Sequence, residues 1–147
     1  MGLPMRHLLI CLSIACGLLA ASAAPSSAAT LIAKVSLSTQ TMTVIHHGKT
    51  KYEWKVSTAR AGKVTPAGSW TAKQLKRYHW SSRYGRAAMP YSIFYSGNFA
   101  VHGTNSVSKL GAPASAGCIR LSRGHAATLF AMAQRAGLRN TLIVVEQ

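Results

Sequence analysis

The sequence predicts a mainly β domain, a sandwich or squashed barrel, with one main helix late in the chain. Three observations carry that prediction. Segments with β-branched residues and strand-like alternation recur from Leu31 to the C-terminal end. Turn chemistry separates them at His47-Gly48-Lys49, Thr65-Pro66-Ala67-Gly68 and Gly97-Asn98. Only one segment, after Ser122, repeats its apolar residues with a helical period.

Each element follows from its residues. Leu31 to Ser38 alternates and reads as the first strand, and Thr41 to His46 as the second. The turn at His47-Gly48-Lys49 brings the chain back as a third strand over Thr50 to Thr58. After Thr65-Pro66-Ala67-Gly68, Ser69 to Leu75 reads as a fourth strand. Residues 76–90 are basic and aromatic without a clear period, and read as loop. Tyr91 to Tyr95 and Phe99 to His102 form a hairpin around Gly97-Asn98. Gly103 to Gly117 is a long irregular stretch, of the kind that is functional or mobile in small domains. Ser122 is the helix N-cap, with Ala126, Leu129, Phe130 and Ala133 on one face and Gly137 as the stop. Thr141 to Val145 closes the fold as a strand. Trp70, Phe94 and Phe99 are expected in the core.

Composition narrows the chemistry. The chain has 147 residues, with 17 Lys and Arg against 2 acids, a formal net charge of +15. The acids are Glu53 and Glu146, and Asp is absent. Paired-carboxylate glycosidases, aspartic-protease dyads, carboxylate-bound Mg2+ or Ca2+ sites and a Ser-His-Asp triad are excluded. The basic excess suits an anionic surface, or serves only as a solvated exterior. Nucleic-acid binding is the rival reading of such a charge, but no recognisable nucleic-acid module accompanies it.

Residues 1–24 read as a secretory signal. Arg6 and His7 give a positive start, Leu8 to Ala21 an apolar run, and Ala21-Ser22-Ala23 a small-residue cleavage site. Cleavage after Ala28 or Ala29 fits nearly as well. An uncleaved anchor and a lipid-modified Cys16 are the alternatives. Residues 25–30 are a short tether, and 31–147 the domain. The expected location is the periplasm or cell wall, with no membrane span left after cleavage. Cys11 and Cys16 leave with the signal, so Cys118 stays as a lone thiol in an oxidising compartment. Such a thiol is buried or used.

The surroundings of Cys118 point to use. Gly117 lets the backbone approach a substrate closely or take a strained turn. Arg120, two residues on, is placed to lower the thiol pKa or to clamp a carboxylate. His102 ends an apolar strand before Gly103-Thr104, where an imidazole faces a cleft. A cysteine nucleophile needs a base of this kind. A Zn site from Cys118, His102 and His125 is conceivable by ligand type but fits no structural zinc spacing. No metal or cofactor is expected. His46 and His47 read as surface residues, and His125 as structural or exposed.

Several segments together resemble the L,D-transpeptidase catalytic domain, the YkuD domain. They are Val101-His102-Gly103-Thr104-Asn105, then Ser115-Ala116-Gly117-Cys118-Ile119-Arg120-Leu121, with Val56-Ser57-Thr58, Thr65-Pro66-Ala67-Gly68 and Met89-Pro90-Tyr91-Ser92-Ile93-Phe94-Tyr95 upstream in the matching order. Two departures stand out. Ala59 replaces a family Gly, and Ala116 stands where many members carry His.

The resemblance implies a cell-wall acyltransferase. Cys118 would attack the carbonyl of the third residue of a peptidoglycan stem tetrapeptide and release D-Ala. His102 would take the thiol proton and later activate the acceptor, the pair resting as thiolate and imidazolium. The N–H groups of Gly117 and Cys118 would hold the oxyanion, and the Gly103 carbonyl would orient His102. Arg120, Ser115, Tyr91, Thr104 and Trp80 are the expected substrate contacts. The loop 76–90 would act as a mobile lid that helps bind the donor. An amine acceptor gives a cross-link or an anchored wall protein. Two other readings stay open: an L,D-carboxypeptidase or wall-protein-releasing amidase using the same Cys and His, and a non-catalytic wall-binding module supported by Ala116.

Overall fold

The computed structural model describes residues 28–147, so the expected signal and the first half of the tether lie outside the described residues. Among the described residues nine strands form two sheets: β1 (Leu31–Ser36), β2 (Thr41–His46), β3 (Lys49–Lys55), β4 (Gly68–Thr71), β5 (Gln74–Lys76), β6 (Ser92–Ser96), β7 (Phe99–Thr104), β8 (Ile119–Ser122) and β9 (Thr141–Glu146). One α-helix, α1 (Arg123–Ala136), lies between β8 and β9.

The first sheet runs β3-β2-β1-β9-β4, and the second β5-β6-β7-β8. Most neighbours are antiparallel, but β1 pairs with β9 in parallel, and β7 with β8. Period-two alternation sets the inner faces: Leu31, Ala33 and Val35 of β1, and Ile143 and Val145 of β9, are buried. From the second sheet come Ile93, Tyr95, Val101, Ile119 and Leu121, and from α1 Ala126, Leu129, Phe130 and Ala133. The helix begins where Ser122 Oγ accepts the His125 N–H at 3.2 Å, and stops at Gly137 with φ +85°.

Two expected strands are broken for a shared reason: the chain changes sheets partway along them. The third ends at Lys55, and Ser57 then pairs with Arg120 of β8 through two backbone bonds of 3.0 and 2.9 Å. This crossing stitches the two sheets together and gives the barrel its closed corner. The fourth divides into β4 and β5. At the break the Ala72 N–H bonds to Thr141 of β9, and the Lys73 N–H to Phe94 of β6. Strand β8 was not foreseen, because four residues before a helix N-cap are too short to read as a separate element.

The second sheet carries a face turned away from the core. Pairing of Phe94 with Ala100, and of His102 with Arg120, puts these four side chains on it. Cys118 immediately precedes β8 and shares the face by alternation. Phe94 therefore belongs to this face and not to the core, and Trp70 and Phe99 only pack against the core from partly buried positions.

Residues 77–91 are not an irregular loop. Backbone bonds from Tyr91 to Arg77, Met89 to His79 and Ser81 to Ala87 (2.8–2.9 Å) fold them into a hairpin-like arm. Its outer aromatics are open to solvent: Tyr78 is 67% exposed, Trp80 53% and Tyr84 47%.

Candidate active site

Strand β7 delivers His102 as the fourth residue of an apolar strand, only 6% exposed. Its Nδ1 lies 2.8 Å from the Gly103 carbonyl oxygen. A carbonyl only accepts, so Nδ1 carries the hydrogen and Nε2 is left free as a base. Gly103 has no room for a side chain. A Cβ there would lie 3.1 Å from Arg123 Cα and 3.2 Å from the Pro90 ring. The Gly103 N–H in turn bonds to the Pro90 carbonyl at 2.8 Å.

Cys118 is half-buried on the adjoining strand line. The Ala100 N–H reaches its sulfur, and the register continued one step back from Val101–Ile119 sets it beside Ala100, on the face His102 shares. Its thiol donates to the Asn98 carbonyl at 3.8 Å. Burial raises its pKa, offset in part by the Ala100 N–H and by the charge of Arg120. Burial lowers His102 to about 4, against the pull of its Gly103 bond, and the charges of Arg120 and His79 lower it further. Both groups are therefore neutral at pH 7. Each shift taken alone favours a thiol and a neutral imidazole over the expected thiolate–imidazolium pair, because burial penalises both charges.

The loop before Cys118 is fastened from behind. Thr65 is buried, accepts the Ala59 N–H at 2.9 Å and donates to the Gly117 carbonyl at 2.8 Å. The Thr58 carbonyl receives the N–H groups of Ala114 and Ser115 at 2.9 and 2.8 Å. Gln40 brackets Thr58, accepting its N–H at 2.9 Å and donating to its hydroxyl at 2.6 Å. Ser57 Oγ donates to the Ala112 carbonyl at 2.7 Å. The stretch 103–117, expected to be functional or mobile, is thus held by bonds to residues 56–65. Gly117 itself has φ +137°, and a Cβ there would lie 2.7 Å from Phe99 and 2.9 Å from the Val64 carbonyl.

The remaining expected contacts divide. Arg120 is half-buried on the same face, beside His102. Thr104 is half-buried at the end of β7, its hydroxyl accepting the Ser106 N–H at 3.1 Å. Trp80 stands on the exposed arm. Ser115 is fully buried and accepts the Gly117 N–H at 3.0 Å, so it shapes the loop and cannot touch a ligand from that position. The same bond engages one of the two amides expected at the oxyanion, which leaves that of Cys118. Tyr91 turns toward α1, edge-on to Phe130 at 5.8 Å with Arg77 over its ring at 5.7 Å, and so packs inward. His125 stacks on Trp54 at 4.7 Å.

One group on this face was missed by sequence reasoning. His79, at the base of the arm, meets Phe94 edge-on at 5.2 Å. The signal available was the alternation of Arg77, His79 and Ser81 across Gly85 from Ala87, Met89 and Tyr91. Among the described residues no group of three His, Cys, Asp or Glu gathers to hold a metal.

Comparison with known proteins fits this geometry. The model of the L,D-transpeptidase catalytic domain family, YkuD, matches residues 31–145, and the chain belongs to that family. Similar solved structures include LdtMt1 in complex with imipenem, at 27% identity and TM-score 0.70 over 80% of this chain and 59% of that one. An L,D-transpeptidase from Stackebrandtia nassauensis matches at 25% identity and TM-score 0.70, over 80% and 56%. One from Mycobacterium tuberculosis H37Rv shares the fold at 23% identity and TM-score 0.72, over 80% and 58%. The chain thus spans less than two thirds of these proteins. No curated protein sequence matches it significantly.

Proposed function

We propose that the protein is an exported peptidoglycan L,D-transpeptidase with Cys118 as nucleophile and His102 as base. The observation that carries this reading is the tautomer of His102: Nδ1 bonded to the Gly103 carbonyl, Nε2 free on the face that Cys118 shares. Because both groups rest neutral, the thiol proton passes to Nε2 as sulfur attacks the carbonyl of the third stem-peptide residue. The Cys118 N–H receives the developing oxyanion. Arg120 favours the thiolate as it forms. The imidazolium then protonates the leaving amine, D-Ala departs, and a thioester remains. An amine of a second stem peptide, or of a wall protein, resolves it. No cofactor takes part in these steps.

The exposed arm with Tyr78, Trp80 and Tyr84 closes over the donor, and the basic surface holds the enzyme on the anionic wall. Among the described residues Lys34 and Glu146 make the one ion pair, at 3.1 Å, so most of the positive charge is free for a partner. No helix among the described residues is long and apolar enough to cross a membrane.

The test is mass spectrometry of the protein incubated with a disaccharide-tetrapeptide, beside Cys118→Ala and His102→Ala. D-Ala release with an acyl adduct on Cys118, lost in Cys118→Ala, is the expected result. A dimer product selects transpeptidase over L,D-carboxypeptidase. Imipenem serves as a second acylating probe, since the similar LdtMt1 has been solved with it. A folded protein that gives no adduct with either reagent returns the reading to a non-catalytic wall-binding module.

A further inference from the structure

The transfer step of the proposed function, on which this inference rests, must dispose of two protons. The acceptor amine arrives as an ammonium at neutral pH, because alkyl amines titrate near 10. Its attack on the thioester forms a C–N bond and breaks the C–S bond. The amide keeps one of the three ammonium hydrogens. Of the two released, one returns to the departing sulfur and the other must leave the site.

His102 accounts for only the proton that returns to sulfur. Its Nδ1–H is committed to the Gly103 carbonyl, which leaves one nitrogen to carry one proton, and the ring is buried. Arg120 and Lys76, the cations on this face, arrive protonated. Neither acid serves: Glu53 lies in β3 and Glu146 in β9, both in the other sheet. Ala116 leaves no second imidazole on the Cys118 loop.

We propose that His79 is the acceptor-side base, taking the first proton from the acceptor ammonium and passing it to solvent, while His102 returns the second to Cys118 Sγ. The geometry fits both halves of that task. The His79 ring stands edge-on to Phe94, and Phe94 pairs with Ala100, which adjoins Cys118 and shares its face with His102. The backbone carbonyl of His79 accepts the Met89 N–H at 2.8 Å, which fixes the base of the arm. Yet the side chain is only partly buried, so a proton taken there can exchange with water. The charged and titratable groups around it are Lys76 and Arg77 on its own side, and His102, Cys118 and Arg120 on the sheet. Burial and the Lys76 charge hold His79 below its ordinary value, so it is neutral at pH 7. Its charge, once protonated, disfavours a second charge on His102. The two imidazoles therefore act in turn.

The experiment follows D-Ala, hydrolysed tripeptide and cross-linked dimer separately in wild type, His79→Gln and His79→Phe. The Phe variant keeps an aromatic ring against Phe94. Dimer formation is expected to fall about 10–100-fold at pH 7, with first-turnover D-Ala release falling no more than about 3-fold. Hydrolysis then takes the larger share. The defect should shrink toward pH 9–10, where the amine sheds its own proton. Both variants keeping the wild-type ratio of dimer to tripeptide would overturn the role of His79, as would an equal loss of all three products. A wild-type protein that releases no D-Ala overturns the proposed function itself, a separate outcome.

Discussion

The Cys118 loop and the arm over residues 77–91 flank the same sheet face and are held in opposite ways. The loop is tied by buried side chains: Thr65 and Ser57 reach it from a distant segment, at Gly117 and Ala112, its own Ser115 holds Gly117, and Gln40 fixes Thr58 behind it. The arm is tied chiefly by its own backbone rungs, and Tyr78, Trp80 and Tyr84 project into water. The proposed nucleophile, Cys118, would have to stay within a fraction of an ångström of its working position, which an over-determined loop provides. A surface that closes on a substrate must give way, so it draws on weakly packed structure. Perturbing each side alike should therefore produce unlike results.

The largest difference is expected from one substitution made twice. Gly117→Ala forces an L residue to φ +137° with its Cβ 2.7 Å from Phe99 and 2.9 Å from a backbone oxygen. The cost is about 3 kcal/mol or more, since backbone must move. Gly85→Ala in the arm also has a positive φ, +55°, but a Cβ there meets nothing within 4 Å. Its cost is about 1 kcal/mol. Urea midpoints of the two variants measure the contrast, and equal losses would mean the loop is no more constrained than the arm.

Acid should act on the loop side of the site. His102 in the folded protein titrates near 4, below the ordinary 6.5. The unfolded chain thus binds the proton first as pH falls. The stability is complete above about 6.5 and drains as pH drops toward 4, by about 3 kcal/mol in all. His102→Gln should flatten this window. His79 is only partly buried, so His79→Gln should leave most of the pH dependence in place. A window that survives in His102→Gln assigns the titration elsewhere.

Thr65→Val should cost about 2 kcal/mol, because the hydroxyl serves both the Ala59 N–H and the Gly117 carbonyl and valine leaves the two buried groups unpaired. Thermal melting reads this directly, as a fall of roughly 10 °C for a domain of this size. Its activity loss should exceed the fraction unfolded, since Gly117 precedes Cys118, the proposed nucleophile.

These contrasts also explain what could be read from the sequence. Alternation in Leu31–Ser36 and Thr41–His46, the turns, and the capped helix after Ser122 are local signals, and local signals survive tertiary context. Cys118, His102 and Gly103 could be singled out for the proposed site because chemistry restricts which residue types could serve there. Sheet changes at Val56 and Ala72 could not be read, because they depend on partners far along the chain. The packing of Ser115 and Tyr91 could not be read for the same reason. Each is a motif residue, but backbone bonds to Thr58 and Arg60 bury Ser115, and Tyr91 is drawn edge-on to Phe130. His79 was overlooked because its stretch shows no period until its two halves are seen paired across Gly85.

The smallest stability effect is expected at Trp80, and it bears on the arm most sharply. The ring is 53% exposed and packs little, so Trp80→Ala should shift unfolding by only about 0.5 kcal/mol. If the arm closes on the donor, the lost contact belongs to the substrate complex. Aromatic surface buried on closure is worth about 1–3 kcal/mol, so KM for the disaccharide-tetrapeptide should rise roughly 5–100-fold. Acylation of saturated enzyme should fall less, since Cys118 and His102 are held by the sheet and not by the arm. Parallel loss of stability and turnover would make Trp80 a packing residue and the arm a fixed wall. Loss of kcat at unchanged KM would instead mean that the arm acts only in the transition state, through groups at its base such as His79.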